Sequence, residues 1–234
     1  MSDWMMEDGE LDADLAFVGT RGALRGPSTA RAVEPSRNVA VFLRPLVVRD
    51  TGKWFGSANL RLDAIVSHGG SAKATLFHPT TVRFPRVVDG DDLAGEDNGL
   101  LIFYGKPAHF LVMNVALSRD TGDSDDLAAL IHREAEEGSV AALIGQLGAA
   151  ASPHIAAVQA GLQAALGLGE LAYKLVRQVS PVALGLYRAS WLGQRDGFGV
   201  GRHPERVQWG LVAVGGHEAV GDVALPRRAG GEGH

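Results

Sequence analysis

Residues 138–169 read GSVAALIGQLGAAASPHIAAVQAGLQAALGLG, a run without a single Asp, Glu, Lys or Arg. Charges stand close on both sides: Glu134, Glu136 and Glu137 before it, Glu170, Lys174 and Arg177 after it. An uncharged Ala/Gly/Leu segment of this length is buried in a core, docked on a partner or placed against lipid. Its punctuation is helical. Ser139 is a candidate cap for one helix, VAALIGQLGAAA. Ser152-Pro153 supplies a serine cap and a first-turn proline for another. Ile155, Val158, Leu162, Leu166, Tyr173 and Val176 then recur at helical spacing. The two uncharged pieces, about a dozen and about sixteen residues, fall short of the roughly 20 apolar residues that a span requires. Gln146, Gln159, Gln163 and His154 weigh further against a resident span. A helical layer packed on a sheet is the first expectation, a triggered membrane-active hairpin the second, and an oligomer or partner interface the third.

Upstream, Ser124 or Asp123 is placed to cap a helix opening at Asp125, with Leu127, Leu130 and Ile131 on one side and acids on the other. Beyond these helices the pattern is β on both flanks. VAVFLRPLVV (39–48) is a dense apolar run with Pro45 inside it, which predicts an edge position or a bulge. In ANLRLDAIVSH (58–68), Leu60, Leu62, Ala64 and Val66 alternate onto one face. ATLFHPTTVRFPRVV (74–88) is extended, interrupted by Pro79 and Pro85. LLIFYG (100–105) and HFLVMNVALS (109–118) are strong strands whose spacing predicts a hairpin at Lys106-Pro107. After the helices, VALGLYRASWLG (182–193) reads as a strand, 194–206 as a glycine-rich loop, and VQWGLVAVGG (207–216) as a closing strand, with a further short strand near 217. Strands joined by turns, with helices as one insertion instead of regular βαβ alternation, predict an α+β protein: an antiparallel β-sandwich with an inserted Ala/Gly-rich helical segment at 124–179. The expected organisation is a leader at 1–36, acidic then basic, one sandwich domain over 37–225, and a tail at 226–234.

Bulk properties narrow the function. The chain has 234 residues, enough for one large domain or two small ones. A net charge of −5 argues against a general nucleic-acid binder, which needs a basic face. With no cysteine there are no disulfides, thiolate metal sites or cysteine nucleophiles, which fits a reducing, cytoplasmic setting. The first residues, MSDWMMEDGELDADL, lack the basic-then-apolar pattern of a secretory signal, and Ser2 stands where N-myristoylation requires glycine.

Three loops bear on chemistry. VVRDTGKWFGSANLRLDAIV (47–66) is a strand, an Asp, a Gly-Lys turn and an alternating strand. VALSRDTGDSDDLAALI (115–131) carries closely spaced aspartates, and Asp196 lies in a third loop, QRDGFGVG. Together they resemble the loops of a C2-like β-sandwich, over about residues 38–126 and 182–225. That resemblance implies a Ca²⁺ site and contact with a phospholipid surface, with Asp50, Asp120, Asp123, Asp125 and Asp126 as the matching ligands. Flexible aspartate loops can supply the six to eight oxygens Ca²⁺ takes. This chain departs from the family at Ser57-Ala58-Asn59, where a second Asp followed by Pro and Tyr is usual.

Other residues are read directly. Trp54 and Phe55 beside Lys53 in a tight turn make a candidate contact point for a membrane or a protein, or fold back over the end of the domain. Asp196, Arg202 and His203 form a candidate polar site in the glycine-rich loop. His78-Pro79 and His203-Pro204 read as turn histidines, and His132 as a solvated one. GFGVG (197–201) lacks the Lys-Ser/Thr of a phosphate-binding loop, and there is no HExxH or GxSxG. The expected role is therefore a non-enzymatic, cytoplasmic or peripheral binding protein with a protein or membrane partner, responsive to Ca²⁺. Two other classes stand beside it: a latent membrane-disrupting effector released by proteolysis or partner binding, and a hydrolase acting near His203. The helical insert is also a candidate surface for a homo-oligomer.

Overall fold

The computed structural model describes residues 38–70, 76–95, 99–136, 138, 140–150, 154–193 and 198, and the backbone of four short strands between 201 and 221. The chain divides between Glu34 and Pro35, and everything described lies in the second unit. Among the described residues the elements run β1 (Val39–Leu43), β2 (Leu46–Val48), β3 (Ala58–Gly69), β4 (Phe77–Val87), β5 (Leu100–Gly105), β6 (Ala108–Arg119), α1 (Leu127–Glu136), α2 (Ala141–Ala149), α3 (Ile155–Val179), β7 (Ala183–Leu192), β8 (Gly201–His203), β9 (Val207–Trp209), β10 (Val212–Val214) and β11 (His217–Gly221). The protein is of mixed α and β content, and its strand pairs are antiparallel.

The longest strands form one four-stranded sheet in the order β4-β3-β6-β7. A second sheet runs β5-β1-β11-β8, and a three-stranded one runs β2-β10-β9. Pro45 separates β1 from β2, since a proline has no N–H for a ladder. Alternation along β3 and β6 gives the long sheet two different faces. Leu60, Leu62, Ala64 and Val66 of β3, with Leu111, Met113, Val115 and Leu117 of β6, join Val39, Val41, Leu46 and Phe103 in one apolar core. The opposite face offers Ile65, Phe110 and Val112 to the three helices in another.

The helices are therefore a layer on the sheet, the first of the three expectations. Val176 of the spaced residues is buried and Val158, Leu162 and Leu166 pack at the margin, but the centre of the inward stripe is made of smaller side chains. Gly161, Ala164, Ala165, Leu168, Gly169, Ala172, Leu175 and Val176 are buried on α3, while Ile155 is 77 % exposed. Small residues face the sheet because they let the backbone come close. A Cβ on Gly161 would stand 2.3 Å from the Ala150 Cβ and 3.0 Å from the Phe110 ring, and one on Gly169 would strike the Asn114 amide. By length and composition alone α3 would pass for a membrane span, as core helices of soluble proteins also do.

Several sequence expectations change here. LLIFYG and HFLVMNVALS form no hairpin: β5 pairs with β1, whereas β6 pairs with β3 and β7, so Lys106-Pro107 carries the chain from one sheet to another. VQWGLVAV is two strands, β9 and β10, paired with each other in the register Val212↔Trp209. The glycine-rich loop contains β8, and the short strand expected near 217 is β11, paired with β1. Helix α1 opens at Leu127 instead of Asp125, and Thr81 Oγ1 on β4 accepts the Leu127 N–H at 2.9 Å. Ser124 is drawn instead to the Arg61 guanidinium. The proposed caps Ser139 and Ser152 lie outside the described residues.

The glycines give a direct test of the layer. Gly145 on α2 faces open space, so Gly145→Ala gains helix propensity and should stabilise the protein by up to about 1 kcal/mol. Gly161→Ala should destabilise it by about 1–3 kcal/mol, because Ala150 and Phe110 must move. Urea denaturation of both variants measures this, and equal effects would mean α3 is not seated as described.

Candidate functional site

One end of the long sheet gathers four loops. One of them is the connection 49–57 between β2 and β3. Its tip carries Trp54, 95 % exposed, and Phe55, 83 % exposed. Gly52 and Gly56 both adopt positive φ, at 67° and 86°, which reverses the chain on either side of the pair. Lys53 Nζ donates to the Ser57 carbonyl at 2.7 Å, closing the turn behind the aromatics. Asp50 Oδ1 accepts the Gly52 N–H at 2.6 Å, a local Asx contact.

The base of this loop is fastened from three directions. Thr51 is buried, and its N–H reaches Asp89 Oδ1 at 2.8 Å. Arg119, at the end of β6, donates from Nε to the Thr51 carbonyl at 3.1 Å and from Nη2 to the Gly52 carbonyl. The Arg119 N–H bonds the Val182 carbonyl at 3.0 Å, and Ser180 Oγ bonds the Arg119 carbonyl. The 88–92 turn is tied to β2 through Gly90 N–H to Val48 O, 2.6 Å, and Val48 N–H to Asp91 O, 2.9 Å. These loops bring Trp54, Phe55, Val88 and Val182 to the same end. They are four of the six exposed large hydrophobic side chains among the described residues. The pair of aromatics that the sequence allowed to fold back thus stands out from a fixed base.

The acidic loop 120–126 adjoins this end and is held by arginines. Arg83 Nε lies 3.3 Å from Asp120 Oδ2, its Nη1 bonds Asp126 Oδ1, and its Nη2 donates to the Ser124 carbonyl at 2.6 Å. The Asp126 hydrogen bond raises the Arg83 guanidinium above its usual pKa against a lesser opposing effect of burial, with the charges of Asp126, Asp120 and Asp63 adding to the rise. Arg133 bonds Asp125. Asp120 also accepts the Gly122 N–H at 3.1 Å, and Asp123 is exposed. Of the residues expected to hold Ca²⁺, Asp120, Asp125 and Asp126 thus carry guanidinium partners that an ion would have to displace, and Asp50 stands in the neighbouring loop. Among the described residues no group of three or more His, Asp or Glu is placed to hold a metal.

The polar site expected around His203 is described only in its backbone. In the β8–β11 pair, Arg202 stands opposite Glu218 and His203 opposite His217. Asp196 lies outside the described residues. His132 is solvated as expected, 3.5 Å from Glu136 one turn on. His78 is not a turn residue: it sits inside β4, and its Nε2 lies 3.3 Å from that of His68. That contact joins residues ten apart on neighbouring strands and has no short-range signal in the sequence.

No protein-family model, curated protein or solved structure matches this chain.

Arg119 is the residue on which the shape of the tip rests. In Arg119→Ala the Thr51 and Gly52 carbonyls lose their donors, at a cost of about 1–3 kcal/mol. Amide exchange in 50–57 should quicken about tenfold or more while α3 stays protected, as hydrogen-exchange mass spectrometry would show. Unchanged exchange in 50–57 would mean that the loop is held by other contacts.

Proposed function

We propose that this chain is a non-enzymatic binding protein, an antiparallel sandwich that docks on a partner through the loop end bearing Trp54 and Phe55. The observation that carries this reading is the combination of two almost fully exposed aromatics with a hydrogen-bonded base. A floppy hydrophobic loop would lose ordering entropy on binding, whereas an anchored one is already in place. Trp is strongly enriched among residues that dominate binding energy, and Phe is enriched at interfaces generally.

The rim supports a protein partner over an anionic bilayer. Arg49, Lys53 and Arg86 are exposed near the tip, beside Asp50, Asp89, Asp91 and Asp123, so the rim carries both signs and no basic excess. A polar rim around an apolar centre is the composition of a protein interface. An anionic membrane would be met better by a basic one. Membrane docking remains the second reading, favoured by the position of the aromatics beside Lys53 at a projecting tip. Neither reading invokes Ca²⁺, since Asp120, Asp125 and Asp126 already carry arginine partners.

The double variant Trp54→Ala/Phe55→Ala tests the proposal. Both side chains are exposed, so stability should stay within about 0.5 kcal/mol of the parent. As bait, the parent should retain a protein from cell extract that the double variant loses by about tenfold or more. Co-sedimentation with neutral and phosphatidylserine vesicles decides the membrane reading in the same pair. Equal behaviour of parent and variant in both assays would sink the proposal.

A further inference from the structure

Away from the loop end, a small polar site lies between the long sheet and α3. Asn114 of β6 stands opposite Ile65 of β3, and Ala116 opposite Asp63. Asn114 and Asp63 are therefore diagonal neighbours on the face that the helices cover, and both are buried. On its other side Asn114 is in register with Arg188 of β7, whose Nε donates to Asn114 Oδ1 at 2.7 Å. A guanidinium only donates, so this bond sets which end of the amide is oxygen and which is the donor Nδ2.

Three observations point to a ligand between Asn114 and Asp63. The Asn114 Nδ2 is buried and has no hydrogen-bond partner. A buried donor of this kind is normally met by protein or by an ordered water. Asp63 can take a further donor: Oδ1 accepts from Arg61 and Thr81, whereas Oδ2 accepts from Arg61 alone, and a carboxylate offers about four lone pairs. Both residues line one small cavity, closed on the helix side by Gly169 and Ala172. It leaves about 10 Å³ for the centre of a water-sized molecule, close to the room that one water needs. A Cβ on Gly169 would stand 2.4 Å from Nδ2, so the glycine gives the amide its place against the helix.

We propose that this cavity is a binding site for one structural water, which accepts from Asn114 Nδ2 and donates to Asp63 Oδ2. The water completes a hydrogen-bonded chain beneath α3, from Arg188 on β7 through Asn114 to Asp63 and Arg61 on β3. It supplies the acceptor that the amide needs and a fourth donor to the carboxylate. The volume limits the occupant to a molecule of this size, and Ile65, Leu127 and Val176 make the remaining wall apolar.

Nuclear magnetic resonance on the unaltered full chain tests the site in solution. The Asn114 side-chain amide protons should show cross-relaxation with water of the sign that marks a long-lived molecule. Oxygen-17 relaxation dispersion should then count one long-lived water fewer in Asn114→Leu, which keeps the size of the side chain and removes the amide. Circular dichroism and retained amide protection in α3 show whether that variant folds; if it does not, the cross-relaxation in the parent decides alone. Asn114 amide protons without such cross-relaxation, or an equal count in folded Asn114→Leu, would each overturn the site in favour of a dry cavity beside an unmet amide.

Discussion

Beneath the helices lies an ion pair with no access to water. Arg61 and Asp63 are next-but-one neighbours on β3, so both side chains point to the same face, and that face is the one the helices cover. Arg61 donates to Asp63 from Nε and Nη2, both at 2.7 Å. Thr81 Oγ1 on β4 adds a third bond to Asp63 at 2.6 Å, and the remaining Arg61 nitrogen reaches Ser124 Oγ and the Asp125 carbonyl. Taking two charges out of water is costly, and such a pair persists only when its bonds are nearly all made. Here the partners come from β3, β4 and the loop that opens α1, so satisfying the charges fixes where the helical layer starts.

The rest of the layer follows from that start. Thr81 both bonds Asp63 and takes the first free N–H of α1, which joins helix, strand and ion pair at one hydroxyl. Arg83, two residues on, holds the outer side of the same loop through Asp120 and Asp126. With α1 fixed, α3 crosses β3 and β6 on its small-residue face. Gly169 lies against Asn114, whose Oδ1 accepts from Arg188 Nε at 2.7 Å. The acidic loop 120–126 therefore joins the sheet to the helices, with arginines as its counter-charges. The same loop passes Arg119, so the anchoring of the helices and the anchoring of the aromatic tip share one end of the sheet.

Much of this was legible in the sequence, and the exceptions have a common cause. The apolar face of β3 is plain in Leu60, Leu62, Ala64 and Val66, and the break at Pro45 follows from a missing N–H. The helical insertion is plain in its periodicity, and the absence of charge between Gly138 and Gly169 left packing on a sheet as the first of three expectations. The intervening residues of β3, Arg61 and Asp63, form a buried polar layer, which alternation alone cannot tell from a solvated face. The small-residue centre of the α3 stripe was missed because Leu162 and Leu166, which pack at its margin, outrank Gly161, Ala165 and Gly169 in hydrophobicity, whereas close approach selects for size. The β5–β6 hairpin failed because a two-residue connection is equally able to turn between two sheets. Trp54 and Phe55 were legible as a turn, but their exposure depends on Arg119 and Asp89, far away in the chain.

The central claim is that the Arg61–Asp63 pair fixes the helical layer on the sheet, and a double-mutant cycle measures it most directly. Arg61→Met, Asp63→Leu and the combined variant would be unfolded in urea beside the parent. Each single change leaves an uncompensated buried charge and should cost about 3–5 kcal/mol. The combined variant, free of both charges, should be far more stable than the sum of the singles implies, with a coupling of more than about 2 kcal/mol. Single changes that cost less than about 0.5 kcal/mol, or effects that simply add, would show that the pair is an onlooker and that the helices are held by their apolar contacts alone.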